Sequence, residues 1–314
     1  MKNKIINAIK DSKGIIIGAH INPDGDAVGA LVGMATLCGF LHIPYQVMLE
    51  KIPESFNEIL KGTEVNDTVT IDYDTFISVD CGDAERLGKY KVLFEQAAVT
   101  INIDHHETNT YFADLNEVYA DASSSCEVVY EFVKAAKCPL TPSLAAGLYT
   151  GILTDTGGFM HPCTSARTHQ IVADLLQVPF DFTKIYYNQM VAKSEIATIM
   201  ESVAISHLSK VNDNSMYLTY VTIEEMKEKG ATTEDLGSIV SQVKNIRGCE
   251  VAAFIYPIEE GKYKVSFRSN APYDVAKIAV TFGGGGHVRA AGATLSGTLE
   301  QVIGHVCEAL NSES

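Results

Sequence analysis

The amino-acid sequence predicts an α/β protein with two domains. The first has a parallel sheet with helices on both faces, and the second is a smaller α/β domain with a mixed sheet. Strand-like apolar runs alternate with helical patterns in the first half of the chain, which indicates a parallel sheet. From about residue 205 the strands are shorter and alternate between apolar and polar residues. A length of 314 residues also fits two domains better than one. We place the first domain at 1–185, a helical connector at 186–206 and the second domain at 207–314.

The composition is that of an ordinary soluble globular protein, with 46% hydrophobic and 20% charged residues. No run approaches the roughly 18 apolar residues that are needed to cross a bilayer. The segment from Met1 to Lys10 lacks the long apolar core of a signal peptide, so we expect an amphipathic first helix and no membrane partner.

The cysteines and the net charge restrict the location and the partners. Seven scattered cysteines without a CxxC pair indicate free thiols in a reducing cytoplasm. A net charge of −15 argues against sequence-independent binding to duplex DNA, which requires a basic surface. It does not exclude a small anionic substrate held by a few local cations and a metal.

Polar side chains follow three of the predicted strands, at the point where each strand ends. A further strand is predicted from Tyr45 to Leu49, and a helix from Leu144 to Leu153 ends near Asp155. The carboxyl ends of parallel strands open into the ligand crevice, so we expect the polar residues to meet there. The three strands and the residues that follow them are Gly14 to Ala19 with His20, Asp24 and Asp26, Thr75 to Val79 with Asp80, and Val99 to Ile103 with Asp104, His105 and His106.

Carboxylates and imidazoles in this number indicate a metal centre. Unpaired acids at one edge would repel one another and raise each other's pKa values, and bound cations relieve that repulsion. Oxygen-rich ligation with imidazoles suits Mn²⁺, with Mg²⁺, Co²⁺ or Fe²⁺ as alternatives. Because there are more ligands than one ion needs, we expect two ions that share a carboxylate. For the loop from His20 to Asp26 alone, a polar turn that caps the next helix is the alternative.

A run of four glycines, Gly283 to Gly286, precedes His287 in the second domain. One interpretation is a flexible turn. The other is a nest of backbone N–H groups that binds a phosphate or a ribose, with His287 beside it. Arg268 and Ser269, at the end of a predicted strand, are further candidates, because a guanidinium pairs bidentately with phosphate.

Five motifs lie in order along the chain: His20-Ile-Asn-Pro-Asp24-Gly-Asp26, Val79-Asp80-Cys-Gly-Asp83, Asp104-His105-His106, Thr154-Asp155-Thr156-Gly157, and Gly283-Gly-Gly-Gly-His287 followed by Ala290-Ala-Gly. With these motifs the sequence resembles the DHH phosphoesterase family, in the two-domain form with the DHH-associated C-terminal domain. The resemblance covers essentially the whole chain. Within the family, the length and architecture are most similar to the NrnA-type enzymes, which hydrolyse short oligoribonucleotides and remove the 3′-phosphate from pAp (adenosine 3′,5′-bisphosphate).

The resemblance implies a role for each residue of the centre. Asp80 bridges two ions, His106 contacts the scissile phosphate, and Asp104 orients its neighbours. The mechanism implied is in-line attack by a metal-bridged hydroxide. The implied ligands are His20, Asp24 and Asp80 for one ion, and Asp26, Asp80, His105 and Asp155 for the other.

The resemblance also implies substrate binding by the second domain, which would close on the first. The implied substrate-binding residues are Arg268, Ser269, Gly284, Gly285, Gly286 and His287. Two positions depart from the family pattern. Relatives often have a basic residue just after Thr156-Gly157, so a phosphate contact there depends on His161. Cys126 lies where relatives have hydroxyl groups, and we interpret Ser123 to Ser125 as a helix cap.

The expected function is Mn²⁺-dependent hydrolysis of short oligoribonucleotides to mononucleotides and of pAp at the 3′ position. The alternative is a cyclic di-AMP phosphodiesterase. A non-catalytic nucleotide-binding regulator is a more distant alternative, because it would have lost ligands, and none of the expected ligands is missing. A homodimer is what relatives suggest.

Overall fold

The computed structural model describes residues 1–211, 215–270 and 272–312. The chain forms two compact units, Met1–Ala192 and Lys193–Ser314. Both have α/β architecture, which confirms the predicted fold class. The predicted domain limits and the connector at 186–206 remain predictions.

The first unit contains seven helices and six strands in its described residues. Short 3-10 segments lie at Glu54–Phe56 and Ala84–Tyr90, and a π-helical turn lies at Tyr187–Val191. The elements are α1 (Lys2–Asp11), β1 (Ile15–Ala19), α2 (Gly25–Phe40), β2 (Tyr45–Met48), β3 (Val65–Asn66), β4 (Thr75–Val79), α3 (Lys91–Gln96), β5 (Val99–Asp104), β6 (Leu115–Val118), α4 (Ser125–Ala135), α5 (Pro142–Asp155), α6 (Ala166–Leu175) and α7 (Phe182–Tyr186).

The six strands form one parallel sheet in the order β3-β2-β1-β4-β5-β6. The strand order reverses direction between β1 and β4, so the crevice of this sheet lies at their carboxyl ends. Ala19 pairs with Val79, and Val79 pairs with Ile103. The residues that follow these three strands are therefore neighbours at one edge.

Burial on both faces explains why the central strands are largely apolar. Ile15 and Ile17 belong to a core that includes residues of α1, α2, α4 and α5. Ile16 and Phe76 face the other side and pack in a cluster with Leu87 and Phe94. Helices thus cover both faces of the sheet, as predicted.

Helices α2 and α5 approach each other closely through glycines. A Cβ atom at Gly29 would lie 2.3 Å from the carbonyl oxygen of Gly147, and one at Gly33 would lie 3.2 Å from the side chain of Leu148. A Cβ at Gly151 would lie 2.7 Å from Oδ1 of Asp26. This close packing brings the C-terminus of α5 to the N-terminus of α2, where the metal centre is predicted.

The second unit has a mixed six-stranded sheet in the order β11-β12-β10-β9-β8-β7, in which only the β8–β9 pair is parallel. Separate apolar clusters cover its two faces. In the described part of the chain, no helix combines the length and apolar character that crossing a membrane requires. The elements are α8 (Glu195–Ser206), β7 (Ser209–Lys210), β8 (Met216–Tyr220), α9 (Ile223–Lys229), α10 (Ile239–Lys244), β9 (Val251–Glu259), β10 (Lys262–Ser269), α11 (Val275–Thr281), β11 (Gly285–His287), β12 (Ala290–Ser296) and α12 (Leu299–Ser312).

Candidate metal centre

Side chains from four segments converge at the carboxyl edge of the parallel sheet. They come from the loop between β1 and α2, the ends of β4 and β5, and the end of α5. Within each of three overlapping groups, the potential ligand atoms lie within 4.8 Å of one another. The groups are His20, Asp24 and Asp80; Asp26, His105 and Asp155; and Asp80, His105 and His106.

Asp80 stands between the histidines of this cluster. It is 2% exposed, and its backbone has a φ of 52°, which is unusual for a residue other than glycine. Its Oδ2 lies 3.3 Å from Nε2 of His20. Its Oδ1 lies 3.8 Å from Nε2 of His105 and accepts a hydrogen bond of 3.0 Å from the hydroxyl of Ser125. The two oxygens of Asp80 thus face different sides of the site.

His20 and His105 have the orientation of metal ligands. Nδ1 of His20 lies 2.7 Å from the carbonyl oxygen of Ile21, and Nδ1 of His105 lies 3.4 Å from that of Ala122. Because a carbonyl can only accept, Nδ1 carries the proton in both rings. In the neutral imidazole, Nε2 therefore has a free lone pair directed at the carboxylates.

Asp26 is fully buried at the N-terminus of helix α4. The backbone N–H groups of Ser125 and Cys126 donate to its two oxygens at 2.6 and 2.9 Å. Burial raises the pKa of Asp26 well above its usual value, and the charges of Asp80 and Asp155 raise it further. The helix N-terminus holds this carboxylate in place but does not supply a full positive charge.

Asp155 is the last residue of α5, where the helix dipole disfavours a negative charge. Its Oδ2 lies 3.1 Å from Nε2 of His105. Burial raises the pKa of Asp155 to about 6, and the charges of Asp80 and Asp24 act in the same direction. His161 lies beside it and donates from Nδ1 to the Asp155 carbonyl oxygen at 3.1 Å. A phosphate contact by His161 remains a prediction.

Asp104 and His106 form a hydrogen-bonded pair next to the ligand groups. Oδ1 of Asp104 accepts from Nδ1 of His106 at 2.7 Å. That bond raises the pKa of His106 above its usual value, against the opposing effect of burial. Burial would raise the pKa of Asp104, but its bonds with His106 and Asn109 lower it instead. The Asp104 side chain is fully buried, whereas that of His106 is 33% exposed, so the histidine is the accessible member of the pair.

Asp24 also acts as a helix cap, which was the alternative interpretation of its loop. Its Oδ1 accepts from the N–H groups of Asp26 and Ala27 at 3.0 and 3.1 Å. The same oxygen lies 3.9 Å from Nε2 of His20. The Asp24 carboxylate therefore caps the N-terminus of α2 and also faces the site.

The interpretation of the serines as a helix cap only is incomplete. Ser124 is the N-cap of α4 and accepts from the N–H of Glu127, as expected. Ser125 in addition donates from its hydroxyl to Asp80 and from its backbone N–H to Asp26. These two contacts of Ser125 were not predicted from the sequence, because they depend on where α4 begins relative to the edge of the sheet.

The charges of the cluster fit divalent cations. Among the described residues, the five acids form ion pairs only with histidines. Burial would raise the pKa of Asp80, but its contacts with His20, His106 and His105 lower it. Carboxylate oxygens and imidazole nitrogens at one partly buried edge are a donor set for divalent first-row ions. The acids of the site are Asp24, Asp26, Asp80, Asp104 and Asp155.

In the second unit, Arg268 and His287 lie in one row of the sheet. Arg268 on β10 and His287 on β11 both pair with Ala290 on β12, from opposite sides. Directly opposite residues of antiparallel strands point to the same face. His287 is exposed, and the half-buried Arg268 donates from Nη1 to the Phe267 carbonyl oxygen at 3.0 Å.

Among the remaining predicted substrate-binding residues, Ser269 and Gly284 have structural roles at the sheet. Ser269 is buried, and its hydroxyl donates to the carbonyl oxygen of Tyr273 at 2.7 Å. A Cβ at Gly284 would lie 2.2 Å from the carbonyl oxygen of Gly292, so the glycines let β11 approach β12 closely. Gly286 has a φ of 147°, and Gly285 is exposed with open space at its Cβ position. Phosphate binding by this segment remains a prediction.

The fold and the site together define a metal-dependent hydrolase of phosphoester bonds. The DHH family N-terminal domain matches residues 14–152, and the DHHA1 domain matches residues 214–313. The chain belongs to the DHH family, which confirms the resemblance found in the motifs.

Two curated relatives match over nearly the whole chain, and both are named bifunctional oligoribonuclease and PAP phosphatase NrnA. The protein from Thermus thermophilus is 30% identical, over 95% of this chain and 90% of its own length. The one from Bacillus subtilis is 27% identical, over 94% and 93%. Among solved structures, an exopolyphosphatase-related protein from Bacteroides fragilis has the same fold, with a TM-score of 0.89, 22% identity and coverage of 99% and 95%.

Proposed function

We propose that the protein hydrolyses short oligoribonucleotides to mononucleotides and removes the 3′-phosphate from pAp, with two divalent ions, preferentially Mn²⁺. The whole-length similarity to two relatives named for these two activities supports the substrate class. The mixture of carboxylate oxygens with imidazole nitrogens supports Mn²⁺.

The observation that carries the proposal is the position of Asp80 between two sets of ligands. One oxygen faces His20, and the other faces His105. A carboxylate in this position suits a bridge between two ions, and paired ions are a common device in phosphoester hydrolysis. His20, Asp24 and Asp80 would hold one ion, and Asp26, Asp80, His105 and Asp155 the other.

When bound, the ions lower the pKa of water and offset the negative charge of the phosphate. His106 has a separate part in the proposal. Asp104 accepts a hydrogen bond from its Nδ1–H and favours the imidazolium form, which leaves Nε2–H as a donor to a phosphate oxygen. Ser125 supports the site by its hydrogen bond to Asp80.

For the second unit, we propose that Arg268 and His287 bind the phosphate or the ribose of the substrate. Their shared row on one sheet face supports a common ligand, because a guanidinium and an imidazole both donate to phosphate oxygens. Backbone N–H groups of Gly285 and Gly286 complete this proposed site. The sheet already uses the hydroxyl proton of Ser269, so its part in the proposal is to hold the end of β10.

The test is a substrate panel with the 314-residue chain and Mn²⁺. The substrates are pApA, longer oligoribonucleotides, pAp, cyclic di-AMP and pyrophosphate, with EDTA as the control. We expect pApA and pAp to be consumed, and activity to fall as the oligonucleotide lengthens. Intact pApA and pAp alongside cleaved cyclic di-AMP would refute the proposal in favour of the cyclic dinucleotide alternative. No turnover of any substrate at full metal loading would favour the nucleotide-binding regulator.

The homodimer, the exclusion of duplex DNA and the cytoplasmic location remain predictions.

A further inference from the structure

The side chain of Asn109 links Asp104 to the loop after β4. It is 7% exposed. Its Nδ2 lies 2.6 Å from Oδ2 of Asp104 and 2.9 Å from Oδ1 of Asn102. The carbonyl oxygen of Cys81 lies 3.2 Å from the same nitrogen. Asn109 therefore donates towards three acceptors on two neighbouring strands and their loops.

The orientation of the Asn109 amide is determined by its other end. Oδ1 accepts a hydrogen bond of 2.6 Å from the backbone N–H of Tyr111, which can only donate. A reversed amide would place its NH₂ against that N–H and its oxygen against the Asp104 carboxylate. The amide is thus held with its donor towards Asp104.

Asn102 anchors this amide to the sheet. It is a fully buried polar residue of β5, between Ile101 and Ile103. Its Nδ2 donates to Ser78 Oγ at 3.2 Å and to the carbonyl oxygen of Cys81 at 3.0 Å, and its Oδ1 accepts from Asn109. A buried amide costs free energy unless its hydrogen bonds are made, and here both ends of it are bonded.

The network leaves Asp104 little freedom to rotate. Oδ2 accepts a hydrogen bond from Asn109, and Oδ1 accepts one of 2.7 Å from Nδ1–H of His106. Within the described residues, Nε2 of His106 has no hydrogen-bond partner, and the side chain is one-third exposed. The fixed carboxylate thus determines which way the free nitrogen of His106 points.

We infer that Asn109 is a positioning residue. It holds Asp104, and through Asp104 it holds His106 in the orientation that presents Nε2 to the scissile phosphate. The inference rests on the proposed function, in which His106 acts on that phosphate.

The kinetic test compares Asn109→Ala with Asn116→Ala in the 314-residue chain loaded with Mn²⁺. Asn116 is a matched control, because its amide bonds the backbone of Ala113 and of Tyr111 and, among the described residues, no side chain of the metal centre. For N109A we expect kcat on pApA to fall about 10- to 100-fold, with KM changed less than about twofold and Mn²⁺ content unchanged. N116A should keep kcat within about twofold of the wild type.

A second readout does not depend on metal or activity. In the metal-free protein, the Nδ1 proton of His106 should give a low-field NMR signal, which His106→Gln would assign. We expect this signal in the wild type and in N116A, and its loss or strong shift in N109A.

The outcomes separate this inference from the proposed function. A wild type inactive on linear substrates would refute the proposed function, while the NMR signal would still test the positioning of His106. An active wild type with N109A at nearly wild-type kcat would overturn the inference, and so would an unchanged NMR signal. Loss of folding in both N109A and Asn109→Ser would assign Asn109 to the fold and also overturn it.

Discussion

The Nε2 atom of His20 lies 3.3 Å from Oδ2 of Asp80, although these residues follow strands that are distant in the chain. The contact exists because β1 and β4 are adjacent at the point where the strand order reverses. His105 approaches the other oxygen of the same carboxylate. The two oxygens of Asp80 therefore face histidines of both proposed ligand sets.

Replacement of Asp80 tests whether its carboxylate bridges the two proposed ions. For Asp80→Ala we expect loss of Mn²⁺ binding together with loss of turnover, because both proposed ions lose a ligand. The decrease in affinity should exceed the ~10- to 100-fold that loss of a supporting residue costs. Isothermal titration calorimetry with Mn²⁺ measures this decrease in affinity.

Asp83→Ala is the matched control for this prediction. Asp83 belongs to the same motif, but its Oδ1 accepts the N–H of Arg86 at 3.2 Å and does not join the ligand groups. The Asp83→Ala variant should lose about 1 kcal/mol of stability, because a helix cap is removed, and it should still bind Mn²⁺. Retained turnover in Asp80→Ala would contradict the bridging role.

Protonation of Asp155 should make the stability of the metal-free protein depend on pH. Its pKa is raised from 3.8 to about 6, so the folded chain binds a proton that the unfolded chain does not bind between these values. The stabilisation is therefore present at low pH and is lost as pH rises through about 6. The raised pKa of Asp26 acts with the same sign.

We expect the free energy of unfolding in EDTA to decrease by about 1 kcal/mol from Asp155 alone between about pH 5 and pH 7.5. Urea titrations at both values measure the difference. Asp155→Asn should reduce this difference in the free energy of unfolding, because an amide does not titrate. Saturating Mn²⁺ should reverse the sign of the difference, because the ions bind the deprotonated carboxylates. An equal pH dependence in Asp155→Asn would show that this carboxyl is not responsible.

Much of the centre was predictable from the sequence because buried parallel strands are continuous apolar runs with clear ends. The ends of β1, β4 and β5 could be located in this way, and the resemblance supplied the proposed roles. Strands β3 and β6 were missed. They are short and partly exposed edge strands, and they lack the long apolar run that marked the central strands.

The supporting residues of the centre were harder to predict because their contacts join distant segments. Ser125 contacts Asp80 only because α4 begins at the sheet edge. Asn109 reaches Asp104 because its loop crosses the loop after β4, where the N–H of Thr110 donates to the carbonyl oxygen of Gly82 at 2.8 Å. One signal was available: Asn102 interrupts an apolar strand, and an isolated amide there indicates a buried hydrogen-bond network.

The contact between α2 and α5 predicts a strong effect of a single methyl group at Gly151. A Cβ there would lie 2.3 Å from Sγ of Cys126 and 2.7 Å from Oδ1 of Asp26. For Gly151→Ala we expect a loss of about 1–3 kcal/mol in the free energy of unfolding, because the packed core must shift. Binding of Mn²⁺ should also weaken, since Asp26 is displaced.

Gly39→Ala is the matched control in α2. Its Cβ would meet Tyr45 at 3.5 Å, an ordinary contact. The substitution should be neutral or stabilising by up to ~1 kcal/mol, as expected for alanine in a helix. Urea unfolding and Mn²⁺ titration of both variants make the comparison. Wild-type stability in Gly151→Ala would show that the two helices are less tightly packed than described.

Substitution of His287 separates substrate binding from metal binding. His287 belongs to the second unit, whereas all the proposed metal ligands belong to the first. For His287→Ala we therefore expect wild-type Mn²⁺ content and an increase in KM for pApA of about tenfold, which corresponds to the loss of one charge-assisted hydrogen bond.

The control is His305→Ala, which replaces an exposed histidine on α12 of the same unit and should leave KM unchanged. The measurements are steady-state kinetics and metal analysis on the same samples. Because all the proposed metal ligands belong to the first unit, a loss of Mn²⁺ in His287→Ala would contradict the proposed division of metal and substrate binding between the two units.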